Sequence, residues 1–190
     1  SVTTVPVGSG PSAVAVTPNG RFAYVVNTLG NNVSVISAAS NTVVATVPVG
    51  SFPQGIAMRP DGFAYVTNFS SSNISVIDTA TNTVVATIPV SPPSKLAIAP
   101  NGALAYVTHG SFSPSVTVID TTTNTVVTNI PVPTNVTLAA AVTPNGAFVY
   151  VTTLSFTTGP KLAVIDTATN TVAAIVPLPG TFPPAVAISP

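Results

Sequence analysis

The chain contains four tyrosines, Tyr24, Tyr65, Tyr106 and Tyr150, and each lies in a copy of one stretch. Its clearest copy is Pro60-Asp61-Gly62-Phe63-Ala64-Tyr65-Val66-Thr67-Asn68, which reads as a turn, a strand carrying the ring, and a polar stop. Successive tyrosines are 41, 41 and 44 residues apart. A fixed period in this range marks a repeat architecture, in which one unit cannot bury its own apolar face and stacks on the next.

Each repeat reads as four short strands. The β-branched runs 42–49, 83–90, 125–132 and 171–178 alternate Val with Thr and end in Val/Ile-Pro-Val/Leu, and residues 1–7 match them. Alternation argues for strand, and the proline confines it to a sheet edge, so these are expected outer strands. Residues 13–17, 55–59, 95–99, 139–143 and 185–189 are short and Ala-rich, which suits a crowded innermost strand. A turn follows the first four: Pro18-Asn19-Gly20, Pro60-Asp61-Gly62, Pro100-Asn101-Gly102 and Pro144-Asn145-Gly146. Proline fixes φ near −65° and the Asn-Gly or Asp-Gly pair supplies positive φ, the chemistry of a tight hairpin. The tyrosine strands, 22–27, 63–68, 104–109 and 148–153, are apolar on both faces and therefore expected between two layers. A third strand (33–36, 74–77, 116–119, 162–165) leads into Asp-Thr-x-Thr-Asn, at 78–82, 120–124 and 166–170; the first copy reads Ser37-Ala38-Ala39-Ser40-Asn41.

Four antiparallel strands in roughly 42 residues describe the blade of a β-propeller. The expected fold is all-β, with repeats at 8–49, 50–90, 91–132 and 133–178 in a single domain over 1–190, and with 1–7 and 179–190 as strands of a partial blade. Gly-His and Trp-Asp repeat signals are absent, and the chain has no Trp.

Tyr65-Val66-Thr67-Asn68, Pro60-Asp61-Gly62 and Val76-Ile77-Asp78-Thr79-Ala80-Thr81-Asn82-Thr83-Val84 resemble the YVTN family of β-propeller repeats over essentially the whole chain. The resemblance implies a propeller fold and a setting on prokaryotic cell surfaces, including surface layers and other secreted proteins. It implies no catalytic activity. The chain departs from the pattern at Ser37, and its tyrosine strands end in His109 and Thr153 where the motif has Asn.

Composition narrows the partners. Charged residues make up 4% of the chain, against an average of about 25%, and formal net charge is zero. No basic face is available for nucleic acid or anionic membrane. No apolar run exceeds five residues, far short of the ~18 that a spanning helix needs. So neutral a surface promotes association unless neighbouring subunits or glycans cover it. Sequons for glycosylation occur at Asn32, Asn68, Asn73 and Asn135. With no cysteine, disulfides, thiolate metal sites and c-type haem attachment are excluded, though the compartment is not fixed. The chain starts at Ser1 without an apolar signal core, which suggests a removed leader or an internal start.

The strand count leaves a partial blade that lacks its two central strands. Three arrangements satisfy it: further blades beyond Pro190, completion by another chain in a ring or filament, or a small irregular propeller closed on itself.

Few residues suggest chemistry. His109, the sole histidine, stands where other repeats have Asn or Thr and has no nearby carboxylate to orient it as a base. Asp78, Asp120 and Asp166 recur a whole repeat apart, too far to share a metal, and read as turn caps. Arg21, Arg59, Lys95, Lys161 and Asp61 are scattered, with Arg59 and Asp61 able to pair across their turn. Residues 154–160 lengthen the fourth repeat and, with Leu154 and Phe156, read either as a contact loop or as a segment packed against the next unit. No nucleophile triad, phosphate loop, zinc spacing or dinucleotide fingerprint is present. The expectation is a non-enzymatic extracellular structural protein without cofactor, a building block of a surface layer, sheath or fibre. It would self-associate through open blade edges or continue into further blades. The alternatives are a propeller that binds carbohydrate, peptide or protein, and, less favoured by the scarce ligand residues, an enzyme domain.

Overall fold

The computed structural model describes residues 4–110, 113–180 and 186–187. They form sixteen strands in four four-stranded antiparallel sheets, each a meander, and no helix. Each sheet coincides with one expected repeat. The first contains β1 (Pro11–Val16), β2 (Phe22–Asn27), β3 (Asn32–Ser37) and β4 (Thr42–Pro48). The second contains β5 (Pro53–Met58), β6 (Phe63–Asn68), β7 (Asn73–Asp78) and β8 (Thr83–Pro89). The third contains β9 (Leu96–Ile98), β10 (Leu104–Thr108), β11 (Ser115–Asp120) and β12 (Thr125–Pro131). The fourth contains β13 (Val136–Val142), β14 (Phe148–Ser155), β15 (Gly159–Asp166) and β16 (Thr171–Pro177).

The chain divides into two compact units of two blades each, Ser1–Pro92 and Pro93–Pro190. Within the first, β1 lies against β5, while the outer strands β4 and β8 meet only at their margins. Within the second, β9 lies against β13 and β12 barely reaches β16. Innermost strands crowding together explain their small residues. Register makes this specific: Ala15, Ala57, Ala97 and Ala141 stand directly opposite Tyr24, Tyr65, Tyr106 and Tyr150. On the other side of each ring stands a valine: Val35, Val76, Val118 or Val164. Directly opposed residues share a sheet face, so an alanine beside each ring leaves it room.

Two faces follow from the period of two. One carries the tyrosine; the other carries its neighbours along the strand. In the first unit, Tyr24, Val26, Val33, Val35 and Val47 of the first blade pack on Ala64, Val66 and Ile77 of the second. In the second unit, Tyr106, Val116, Val118 and Ile130 of the third blade pack on Val149, Val151, Ala163 and Ile165 of the fourth. The rule inside both units is the same: a tyrosine face meets the opposite face of the following blade.

The turns form as their residues dictate. Gly20, Gly62, Gly102 and Gly146 take positive φ, and the preceding Asn or Asp does not. Each Asp-Thr-x-Thr-Asn turn places its last Asn in the left-handed region: φ is 55° at Asn82 and Asn124 and 54° at Asn170, with 53° at Asn41 in the divergent first copy. Each outer strand carries a register shift opposite Val35/Ile36, Val76/Ile77, Val118/Ile119 or Val164/Ile165. A bulge and a terminal proline both blunt an edge strand against pairing with another chain. The outer edges are therefore poor templates for strand addition, because their ladder is interrupted in every blade.

Two expectations at the chain's extremities fall partly or mostly outside the described residues, and one about a loop is revised. Of the expected outer strand 1–7, residues 4–7 are described and are irregular. The expected inner strand near the C-terminus lies almost wholly outside the described residues. Residues 154–160 form no separate contact loop. Strand β14 pairs with β15 out to Ser155 and Gly159, so only a three-residue tip, 156–158, remains. Phe156 on that tip is exposed, and its backbone N–H donates to Asn135 Oδ1.

Candidate functional site

The polar ends of the tyrosine strands carry the residue types best suited to chemistry, and their side chains are committed to packing. Asn68 is fully buried; its Nδ2 donates to Asn73 Oδ1 at 2.8 Å and to Ser75 Oγ at 2.9 Å. Asn27 repeats this with Asn32 Oδ1 at 2.7 Å and Ser34 Oγ at 2.9 Å. The sequon at Asn68 is thus a core amide, with no room for a glycan in the folded blade. Asn32 and Asn73 are half-buried acceptors in the same networks, and Asn135 is the exposed one of the four sequons.

His109 occupies the equivalent slot and does the equivalent job. It is fully buried, and its Nε2 lies 2.7 Å from Thr117 Oγ1, which stands where the other blades have Ser34 and Ser75. Thr117 in turn donates to Asn129 Oδ1, so the ring nitrogen facing it carries the proton. The backbone N–H of His109 donates to Thr137 Oγ1 of the following blade. A base needs a path to a substrate proton; this ring is spent inside a blade.

Asp78, Asp120 and Asp166 each hold the turn that follows. Asp78 Oδ1 accepts from the Ala80 N–H at 2.8 Å, and Asp166 Oδ1 from Ala168 and Thr169 at 2.8 and 3.1 Å. Asp120 Oδ1 accepts from the N–H groups of Thr122 and Thr123 and from the Thr122 hydroxyl. The Thr122 hydroxyl, followed by those amides, holds the Asp120 carboxyl below its usual range. A depressed carboxyl contributes stability above the unfolded pKa of about 3.9 and loses it as pH falls through the lower folded value. Asp120→Asn is therefore expected to melt slightly lower than the parent at pH 7, and the gap should narrow in thermal scans taken below about pH 4. No group of three potential metal ligands occurs among the described residues.

The adjoining threonine ties two turns together. Thr79, Thr121 and Thr167 donate from Oγ1 to the carbonyls of Gly62, Gly102 and Gly146. In the first blade Ala38 stands at this position and offers no hydroxyl. Arg59 pairs with Asp61 in the same region, lies 5.0 Å from the centre of the Phe63 ring, and holds the Asp61 carboxyl below its usual range. Between these turns in the first unit lies a polar cleft of about 410 Å³ whose lining includes Arg21, Asp61, Asp78, Thr79 and Asn82. Asn82, one of its lining residues, accepts at Oδ1 from the Tyr24 hydroxyl at 2.6 Å, a bond from one blade to the turn of the next. Burial, then the Asp78 charge, push the Tyr24 hydroxyl up to about 12, against the opposing Thr79 hydrogen bond. In the second unit Tyr106 and Asn170 hold the corresponding positions; the Tyr106 hydroxyl and Asn170 Oδ1 are both buried without a partner.

Two blade faces stay bare among the described residues. On the fourth blade's tyrosine face, Val176 is 44% exposed, whereas its equivalents Val47, Ile88 and Ile130 are 2%, 2% and 3% exposed. Tyr150, Leu162 and Val164 are half-buried on that face, while Tyr24, Tyr65 and Tyr106 are fully covered. On the first blade's opposite face, Val14 and Val16 are 63% and 56% exposed, and Ala23, Val25 and Ile36 are half-buried where Ala64, Val66 and Ile77 are fully covered. A shallow apolar depression of about 380 Å³, lined by Pro11, Ser12, Ala13, Val14 and Val25, lies on this second face. Repeat spacing located the tyrosines and aspartates; the bare faces escaped it, because a face declares itself only once its neighbour is known.

No protein-family profile matches the sequence, and no curated protein matches it. Solved structures do. Hydrazine synthase from Kuenenia stuttgartiensis aligns over 92% of this chain with a TM-score of 0.85 and 25% identity. A functionally unknown protein from Desulfotomaculum acetoxidans aligns over 86% with a TM-score of 0.72 and 20% identity. The β-propeller domain of Cps50 (Swd1) from Myceliophthora thermophila aligns over 99% with a TM-score of 0.79 and 14% identity. The chain spans 51%, 54% and 61% of those chains' lengths. Four-stranded antiparallel blades repeated along the chain and propeller neighbours together give the fold: this is an all-β chain of propeller blades.

Proposed function

We propose that the chain is a non-enzymatic structural protein of the YVTN kind, a propeller building block of an extracellular surface layer, sheath or fibre. The observation that carries this reading is the pair of bare apolar blade faces on a chain with only 4% charged residues. Contiguous exposed apolar surface marks a contact site, and there is little charge to keep such faces apart. The groups best suited to chemistry support it too. His109 and Asn68 are packed inside blades, and the aspartates accept bonds from their own turns. Blunted outer edges shift the contact from strand addition, the route suggested by sequence, to face-on-face stacking.

The polar cleft beside Arg21, Asp61 and Asn82 favours a second reading, a module that binds a carbohydrate or peptide. Electron micrographs of the purified chain at native concentration separate the two. The structural reading expects regular polymers or closed rings. Dispersed single particles that bind a glycan or peptide saturably would overturn it and favour the cleft.

A further inference from the structure

We propose that the two bare faces are the two halves of one contact, made head to tail between copies of this chain: the tyrosine face of the fourth blade seats on the opposite face of the first blade of a second copy. The proposal rests on the assembly reading above and names its interface. Inside each unit, a tyrosine face is covered by the opposite face of the next blade. Among the described residues, what remains bare is one face of each kind, and both kinds lie on the same chain. Tyr150, Leu162, Val164 and Val176 repeat the residues by which Tyr24, Val33, Val35 and Val47 hold the second blade. Val14, Val16, Val25 and Ile36 repeat the opposing set.

In the first unit a polar pair accompanies this packing. Tyr24 donates its hydroxyl to Asn82, the last residue of the following blade's turn. The first blade's own turn ends in Asn41, exposed and held at φ 53°, beside 55° at Asn82. Its counterpart across the proposed contact is Tyr150, the one tyrosine of the four with exposed surface. Stacking in the sense seen within the units brings the Tyr150 hydroxyl to Asn41 of the second copy. Such a contact uses different patches on the two copies, so it is heterologous and propagates to a ring or a filament.

Heterologous contacts have a distinctive test. Val176→Lys disables the tyrosine face, and Val14→Lys disables the opposite one. Both sites are exposed, so each variant is expected to keep the parent's circular dichroism. By light scattering, the parent is expected to assemble with concentration, each variant alone to stay monomeric, and an equimolar mixture to form dimers that grow no further, because each variant retains the face the other lacks. Variants that assemble like the parent would overturn the head-to-tail contact and leave the assembly reading standing. A mixture that stays monomeric would also overturn the contact. A parent that is monomeric throughout would overturn the assembly reading itself. Tyr150→Phe and Asn41→Ala supply a milder pair: each is expected to weaken association up to about tenfold, as one hydrogen bond implies. Combining them should add nothing further; additive losses would place the two residues in separate contacts.

Discussion

Tyr24→Ala is expected to lower the stability of the first unit by about 3–5 kcal/mol, the cost of deleting a buried aromatic ring. The ring has no exposed surface, sits between Ala15 and Val35 in its own sheet, and packs on the second blade. Its hydroxyl donates across the blade boundary, so removal also strips Asn82 Oδ1 of a donor. Chemical denaturation of the parent and variant measures the loss. The same change at Tyr150 is expected to cost clearly less in dilute solution, because that ring is only half-buried. Equal losses at both sites would contradict the distinction between covered and bare tyrosine faces. Alkali offers an independent check on Tyr24. Its raised pKa means that its contribution is intact below the unfolded value of about 10 and declines as pH rises toward about 12. Tyr24→Phe should flatten that alkaline decline.

Gly50→Ala is expected to destabilise the second blade by about 1–3 kcal/mol, the range for overpacking a filled interior. A Cβ on Gly50 would stand 2.7 Å from Asn68 Cγ and 2.8 Å from Asn68 Cβ. Asn68 cannot step aside, since it is buried and bonded to Asn73 and Ser75. Gly8 faces Asn27 in the first blade with the same crowding. In the third and fourth repeats the tyrosine strand ends in His109 or Thr153, and Ser91 or Pro133 replaces the glycine. Glycine and asparagine therefore occur together because the amide occupies the space of a side chain. Thermal melts of Gly50→Ala, and of the same change with Asn68→Ser, test the coupling: the second substitution should recover part of the loss. An unaffected melting temperature in Gly50→Ala would show that the amide yields more readily than its bonds suggest.

Much of the fold was legible in the sequence because its signals are local. Pro-Asn-Gly and Pro-Asp-Gly define their turns within three or four residues, and Val/Thr alternation defines the outer strands. The recurring tyrosine set the repeat. Features that depend on a partner were not legible. Asn68 reads as a surface sequon in sequence, yet its neighbours Ser75 and Asn73 pull it into the blade. Residues 154–160 read as a loop because they lengthen the fourth repeat, yet pairing across the hairpin extends both strands. The pairing of tyrosine strand ends with glycine or with bulkier residues is written in the sequence, and it becomes meaningful only through the distance from Gly50 to Asn68. Even the bare faces have no composition of their own: Val176 differs from Val47 in its surroundings alone.

The most direct test is nitration of the four tyrosines, mapped by peptide and repeated across protein concentration. The account expects Tyr24, Tyr65 and Tyr106 to resist throughout, and Tyr150 to react in dilute solution and become protected as the chain concentrates. Four tyrosines of equal reactivity, or a Tyr150 whose reactivity ignores concentration, would contradict it.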